Sequence, residues 1–338
     1  MDRDITINIK MINNSCLWQG VEVYIDKKRH FFMGMAILFV IFYHIGVVWD
    51  NPMTLPFRRG FIGVDIFLLF SSYGLCYSWK KHSGGGYYIR RIIRILPCFI
   101  LLSIVVSVLY ILKGNTLSLW DWICNLTSLS YYGLGGIKID WYLSSLFLLY
   151  LISPVVIKMG RHESLTICLM LVVCCTLLLW MVDMELGIRC LVARLPIFVL
   201  GAALWHSRGA HFEKTWKWIC AFSLVLWIVG LLFRIDRFVM SSLFTPTLLC
   251  VLIVLYRLMN RNKEFWTTVE RTIELFGKYS LENYVGNCIT LAILLQFLAS
   301  YNCNILIVPL YFASTVIFTY ICILYNGFVQ RIINKFYA

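Results

Sequence analysis

The sequence predicts an all-α integral membrane protein, a bundle of about ten transmembrane helices with both termini in the cytoplasm. Three observations carry that expectation. Hydrophobic residues make up 60% of the 338 positions and charged residues only 14%, against about 25% charged in soluble domains. The apolar residues fall in runs near the roughly 20 residues that a membrane-crossing helix needs. The 30 lysines and arginines fall mainly in alternate connections between those runs. This composition excludes a soluble enzyme, a disordered chain and a nucleic-acid-binding domain.

The apolar runs lie at about 31–49, 60–79, 95–112, 141–157, 164–182, 191–205, 216–233, 239–258, 281–299 and 305–326. The sixth is short and Pro154 interrupts the fourth. Residues 1–30 form a polar N-terminal segment with no cleavable-signal pattern, 31–326 the membrane domain, and 327–338 a tail. With the N-terminus inside, 22 of the 30 basic residues fall on the cytoplasmic side, as the positive-inside rule requires. The same rule, with contact to anionic lipid, accounts for most of the net charge of +13.

Two connections are long. Segment 113–140, rich in Trp, Tyr, Leu and Gly, reads as interfacial or re-entrant, a placement that needs protein or a cavity around it. Segment 259–280 contains the mixed periodicity of a surface amphipathic helix over 264–275. The 13 cysteines are scattered, mostly within apolar runs, and show neither a disulfide framework nor a zinc site. No metal is expected.

An ionisable side chain in the bilayer core is costly unless paired, so each one marks a candidate site. Among the six histidines, only His44 sits within a span. Asp65 is the one carboxylate clearly inside an apolar run. At 1.5 Å per residue, His44 lies about 20 Å from the start of the first span and Asp65 about 8 Å from the outer end of the second. That places them at similar depth. They could form a base and its orienting carboxylate, or a structural hydrogen bond joining two helices. The third feature is Tyr87-Tyr88-Ile-Arg90-Arg91-Ile-Ile-Arg94-Ile-Leu-Pro97. Arg94 shares a helical face with Arg91 and Arg90, a pattern that fits phosphate clamping, lipid headgroups, or orientation alone.

Together these segments resemble the acyltransferase 3 family of multi-spanning membrane acyltransferases. Ala36-Ile-Leu-Phe-Val-Ile-Phe-Tyr-His44 is similar to that family's first helix, which ends in an essential histidine. Arg59-Gly60-Phe-Ile-Gly63-Val64-Asp65-Ile66-Phe67, followed by Ser71, is similar to its Gly-Val-Asp-Leu-Phe-Phe-Val-Leu-Ser-Gly signature. Arg91-Ile-Ile-Arg94-Ile-Leu-Pro97 matches its Arg-x-x-Arg-x-x-Pro motif. Weaker likenesses follow in Trp141-Tyr-Leu, in Tyr150-Leu-Ile-Ser-Pro154, in Arg194-Leu-Pro-Ile-Phe-Val-Leu-Gly201 and in Gly277-Lys-Tyr-Ser-Leu-Glu-Asn-Tyr284. Three positions depart from the pattern. Met33 stands where many members carry a basic residue eleven before the histidine, Ser72 replaces the usual glycine, and Asn287 replaces a histidine often found there.

The resemblance implies transfer of an acyl group, usually acetyl, from acyl-CoA to a hydroxyl of a sugar, in a surface polysaccharide or a lipid-linked glycan, at the cell membrane of a bacterium. It implies His44 as general base, Asp65 as its orienting or stabilising partner, and Arg91 and Arg94, with Arg90 beside them, as ligands of the CoA phosphates. The expected partners are therefore the lipid bilayer, acetyl-CoA or another acyl-CoA as co-substrate, and a carbohydrate or lipid-linked acceptor. Two other readings stand beside it. One is a carrier or flippase for a lipid-linked glycan, and the other is an inactive family-fold assembly partner.

Overall fold

The computed structural model describes residues 21–49, 51–82, 84–209, 212–259, 263–298 and 306–337. Among them there are only helices and connections. The helices are α1 (Val21–Lys27), α2 (Arg29–Val48), α3 (Ile62–Lys81), α4 (Gly85–Leu112), α5 (Leu119–Leu126), α6 (Trp141–Lys158) and α7 (Arg161–Met181). They continue as α8 (Leu186–His206), α9 (Phe212–Leu232), α10 (Arg237–Met259), α11 (Lys263–Lys278), α12 (Ser280–Leu298) and α13 (Ile307–Tyr337).

A helix stands at each of the ten expected positions. Among the described residues, nine helices are long and apolar enough to cross a membrane. Helix α12 is not one of the nine; its first half carries Glu282, Asn283 and Asn287. Pro154 does not break α6, which runs unbroken from Trp141 to Lys158. The short sixth run becomes a full-length α8, and α13 continues to Tyr337 through the expected tail boundary at 326.

Helix α3 lies at the centre because glycine lets its neighbours come close. A Cβ at Gly63 would overlap the Ala36 carbonyl of α2, and one at Gly60 the Phe39 carbonyl. On its other side, a Cβ at Gly201 of α8 would overlap the Leu69 carbonyl. With backbones this close, the first turns of α3 are sealed from solvent, and Val64 through Phe70 are all buried.

Segment 113–140 folds against the outside of α4. Ser118 and Asp121 form a reciprocal N-terminal cap on α5. Asn125 is fully buried, donates to Ser107 at 3.0 Å and accepts from the Ile137 amide at 2.8 Å. Helix α11, expected as a surface amphipathic helix, docks on the first half of α2. A Cβ at Gly277 would overlap the His30 carbonyl, Trp266 is buried, and Lys28 pairs with Glu270 and Glu274 at 2.5 and 3.0 Å.

Candidate active site

The expected pairing of His44 with Asp65 does not form. Matched depth on two helices says nothing about the angle around each axis, and the two side chains go to different neighbours. Asp65 is fully buried. Its carboxylate accepts from the Ser241 and Ser242 hydroxyls at 2.5 and 2.7 Å and pairs with Arg194 Nε at 3.2 Å. Arg194 is itself 1% exposed, and its guanidinium stacks over Trp141 at 4.9 Å and Phe238 at 5.1 Å. The Asp65 cluster therefore ties α3 to α8 and α10.

His44 turns the other way. Its Nδ1 lies 2.6 Å from Asn287 Nδ2 on α12, and Tyr311 of α13 donates to Asn287 Oδ1 at 2.7 Å. Asn287 and Tyr311 are both fully buried. A Cβ at Gly286 would meet Thr319 Oγ1 at 2.7 Å, so this glycine brings α13 near enough for Tyr311 to reach. Among the described residues, His44 Nε2 has no hydrogen-bond partner.

Beside the same turn of α12 lies a half-buried carboxylate that the sequence did not single out. Asp140 caps α6 by accepting from the Leu143 amide at 2.7 Å. It also accepts from the Tyr284 hydroxyl at 2.9 Å and has no basic partner among the described residues. Burial pushes its carboxyl above the usual range, while the Leu143 amide and the Tyr284 hydroxyl act in the opposite direction.

The arginines converge at the other end of α2. A cavity of about 60 Å³ is lined by Arg29, Arg91, Arg94, Met33, Tyr150 and Tyr284, among others. Arg29 feels the charges of both Arg91 and Arg94. Among the described residues, no carboxylate forms an ion pair with any of the three. Arg91 Nε is buried with no hydrogen-bond partner. Arg90 does not line this cavity and is exposed, because it lies about 100° around the helix from Arg91. Met33 lines the cavity without charge, and Arg29, one turn earlier on α2, supplies a cation to the same space. The guanidinium of Arg29 rests against Gly74, whose Cβ would lie 2.6 Å from Nη1.

Arg29 and Met33 of α2 line the cavity, and His44 lies further along the same helix without lining it. Met33 is eleven residues from His44, about 16 Å of helix. On the facing helix, Tyr284 stands one turn before Asn287. Two larger clefts, of about 680 and 360 Å³, have mainly apolar linings, and His44 lines neither of them.

Residues 32–324 match the model of the acyltransferase 3 domain, described as an acyltransferase domain. The chain belongs to the acyltransferase 3 family. The match takes in His44, Asp65, Arg91, Arg94 and Asn287 together, while Arg29 lies just before it, and it supports a membrane acyltransferase activity for this family member. No curated protein and no solved structure matches the chain. Among the described residues, no group of three or more metal-ligating side chains comes together.

Proposed function

We propose that this protein transfers a short acyl group, acetyl in the first instance, from acyl-CoA to a sugar hydroxyl of a surface polysaccharide or lipid-linked glycan at a bacterial plasma membrane. The observation that carries this reading is the convergence on one cavity of three arginines that have no anionic partner among the described residues, with Tyr284 of its wall a helical turn from the residue that holds His44. Guanidinium groups bind phosphates through paired, charge-assisted hydrogen bonds. Arg91, Arg94 and Arg29 accordingly hold the CoA phosphates, with Arg90 outside the contact. The pantetheine arm extends along α2 and delivers the thioester near His44.

His44 Nε2 takes the proton of the acceptor hydroxyl as its oxygen attacks the thioester carbonyl. The carbon–sulfur bond breaks, and the departing CoA thiolate takes the proton back from the imidazolium. General base catalysis of this kind contributes about 10²- to 10⁴-fold. Asp65 supports the site indirectly, by fixing α3 against α8 and α10, and does not orient the imidazole.

The test compares surface glycans of cells carrying the wild-type gene and His44→Ala at equal membrane expression, by mass spectrometry and proton NMR. Loss of an ester-linked acyl group is expected, and it identifies both the acyl group and the acceptor sugar. Unchanged acylation with folded mutant protein overturns the reading and favours a glycan carrier or an inactive assembly partner.

A further inference from the structure

We infer that Asn287, biased by Tyr311, sets the tautomer of His44 and so acts as a positioning residue for acyl transfer. The inference deepens the proposed function and rests on His44 being the base.

A neutral imidazole has one donor nitrogen and one acceptor nitrogen. With Asn287 Nδ2 2.6 Å from Nδ1, the amide donates to the ring. Nδ1 must then hold a lone pair, and the ring proton sits on Nε2. In that tautomer Nε2 is a donor, unable to take a proton from a hydroxyl. The arrangement cannot hold an imidazolium either, because two donors would then face each other.

Rotating the Asn287 amide by half a turn about Cβ–Cγ exchanges its oxygen and nitrogen and scarcely moves another atom. Oδ1 then accepts from Nδ1–H, and Nε2 carries the lone pair. The rotated Nδ2 donates to the Tyr311 oxygen. The Tyr311 proton turns to the Asn287 main-chain carbonyl, already within 3.3 Å of that hydroxyl. Every group keeps a partner, as buried polar groups require, and the same orientation accepts the Nδ1–H of the imidazolium formed during transfer. In the change the ring loses its proton from Nε2 and gains one at Nδ1 by exchange with water. Two closed networks thus share one set of heavy atoms, an idle one and a competent one. They differ in where the Tyr311 proton points. In the structure the Tyr311 hydroxyl donates to Oδ1 at 2.7 Å, the hydrogen bond that belongs to the idle network and that the competent one lacks.

Nitrogen-15 spectra of histidine-labelled protein in nanodiscs read the tautomer directly, with the His44 signals assigned by their loss in His44→Ala. The expected wild-type ring is mainly Nε2–H. Tyr311→Phe removes the bias and shifts the ring toward Nδ1–H. Asn287→Asp, whose carboxylate only accepts, fixes Nδ1–H. In membranes supplied with acetyl-CoA, Asn287→Leu lowers ester formation on the host glycan on the order of 10²-fold, with acetyl-CoA affinity unchanged by calorimetry. Asn287→Asp restores most of that loss. Two results overturn the inference: His44 spectra that are the same in wild type, Asn287→Leu and Asn287→Asp, or folded Asn287→Asp as inactive as Asn287→Leu. Full transfer by His44→Ala instead removes the base reading, and with it the catalytic purpose of a tautomer shift that the spectra would still report.

Discussion

Asp65 and Arg194 meet 3.2 Å apart with both side chains almost completely buried, joining the second and sixth of the expected spans. Two serine hydroxyls complete the carboxylate, and two aromatic rings cover the guanidinium. A charge pair so far from water is expensive to assemble, but removing one member is worse, because it strands the other.

Arg194→Met therefore destabilises the protein by about 3–5 kcal/mol, the usual result of leaving a buried charge without its partner. Adding Asp65→Asn to Arg194→Met recovers part of that loss, since a neutral amide still accepts from Ser241 or Ser242. Thermal unfolding of the single and double variants in detergent measures the coupling. Additive losses would mean that the pair is not the unit holding α3 to α8.

Arg29 makes a second, sharper expectation. Hydrogen bonds to charged groups contribute about 1.5–3 kcal/mol, so Arg29→Gln weakens acetyl-CoA binding by about 10- to 150-fold. Arg90→Gln, outside the cavity, leaves it within about twofold. Gly74→Ala displaces the Arg29 guanidinium and falls between the two. Calorimetric titration of acetyl-CoA and of CoA without its 3′-phosphate reads all three. Equal effects of Arg29→Gln and Arg90→Gln would reduce the cavity to general positive charge.

The sequence made His44 and Asp65 visible for one reason: an ionisable residue inside an apolar run stands out. It could not pair them correctly, because residue count gives depth along a helix but not the direction a side chain faces, and that direction depends on packing with distant helices. Arg194 was the missing clue. It is a lone cation inside a span, and such a charge demands a buried carboxylate. Asn287 and Tyr311 carry no charge and raised no such demand, so Asn287 showed only as a departure from the family pattern. Arg29 follows Lys27 and Lys28 and reads as part of an orientation signal; only the fold separates it from them. Helix α11 was legible as amphipathic, but a hydrophobic stripe does not say whether lipid or another helix covers it.

Asp121 gives the outer segment a dependence on pH. Its carboxylate accepts from the Ser118 hydroxyl and amide at 2.7 and 2.9 Å and from the Gly136 amide at 2.7 Å. These bonds, the Ser118 hydroxyl first, hold its carboxyl below the usual carboxylate range. A depressed carboxyl stabilises the fold above its unfolded pKa of about 3.9 and loses that contribution as pH falls through the lower folded value. Hydrogen exchange at Gly136 is expected to stay slow at neutral pH and to quicken relative to neighbouring amides below about pH 4. In Asp121→Asn the protection is reduced at every pH. Protection that persists unchanged to pH 3 in the wild type would show that other contacts close this segment.

The docking of α11 on α2 depends on the missing side chain of Gly277 as much as on its ion pairs. A methyl group there overlaps the His30 carbonyl, and the nearest atoms are backbone, which cannot step aside as a flexible side chain can. Overpacking at such a contact costs about 1–3 kcal/mol. Gly277→Ala is thus expected to loosen α11, to raise hydrogen exchange from Trp266 to Lys278, and to expose Trp266 to a soluble quencher. Lys28→Met, which removes the pairs with Glu270 and Glu274, has a smaller effect, because Lys28 is partly exposed and water screens such pairs. Since Arg29 follows Lys28 directly and turns from the same part of α2 into the cavity, Gly277→Ala also weakens acetyl-CoA binding, without touching His44. Loosened α11 with unchanged acetyl-CoA affinity would separate the two, and α11 would then serve the fold alone.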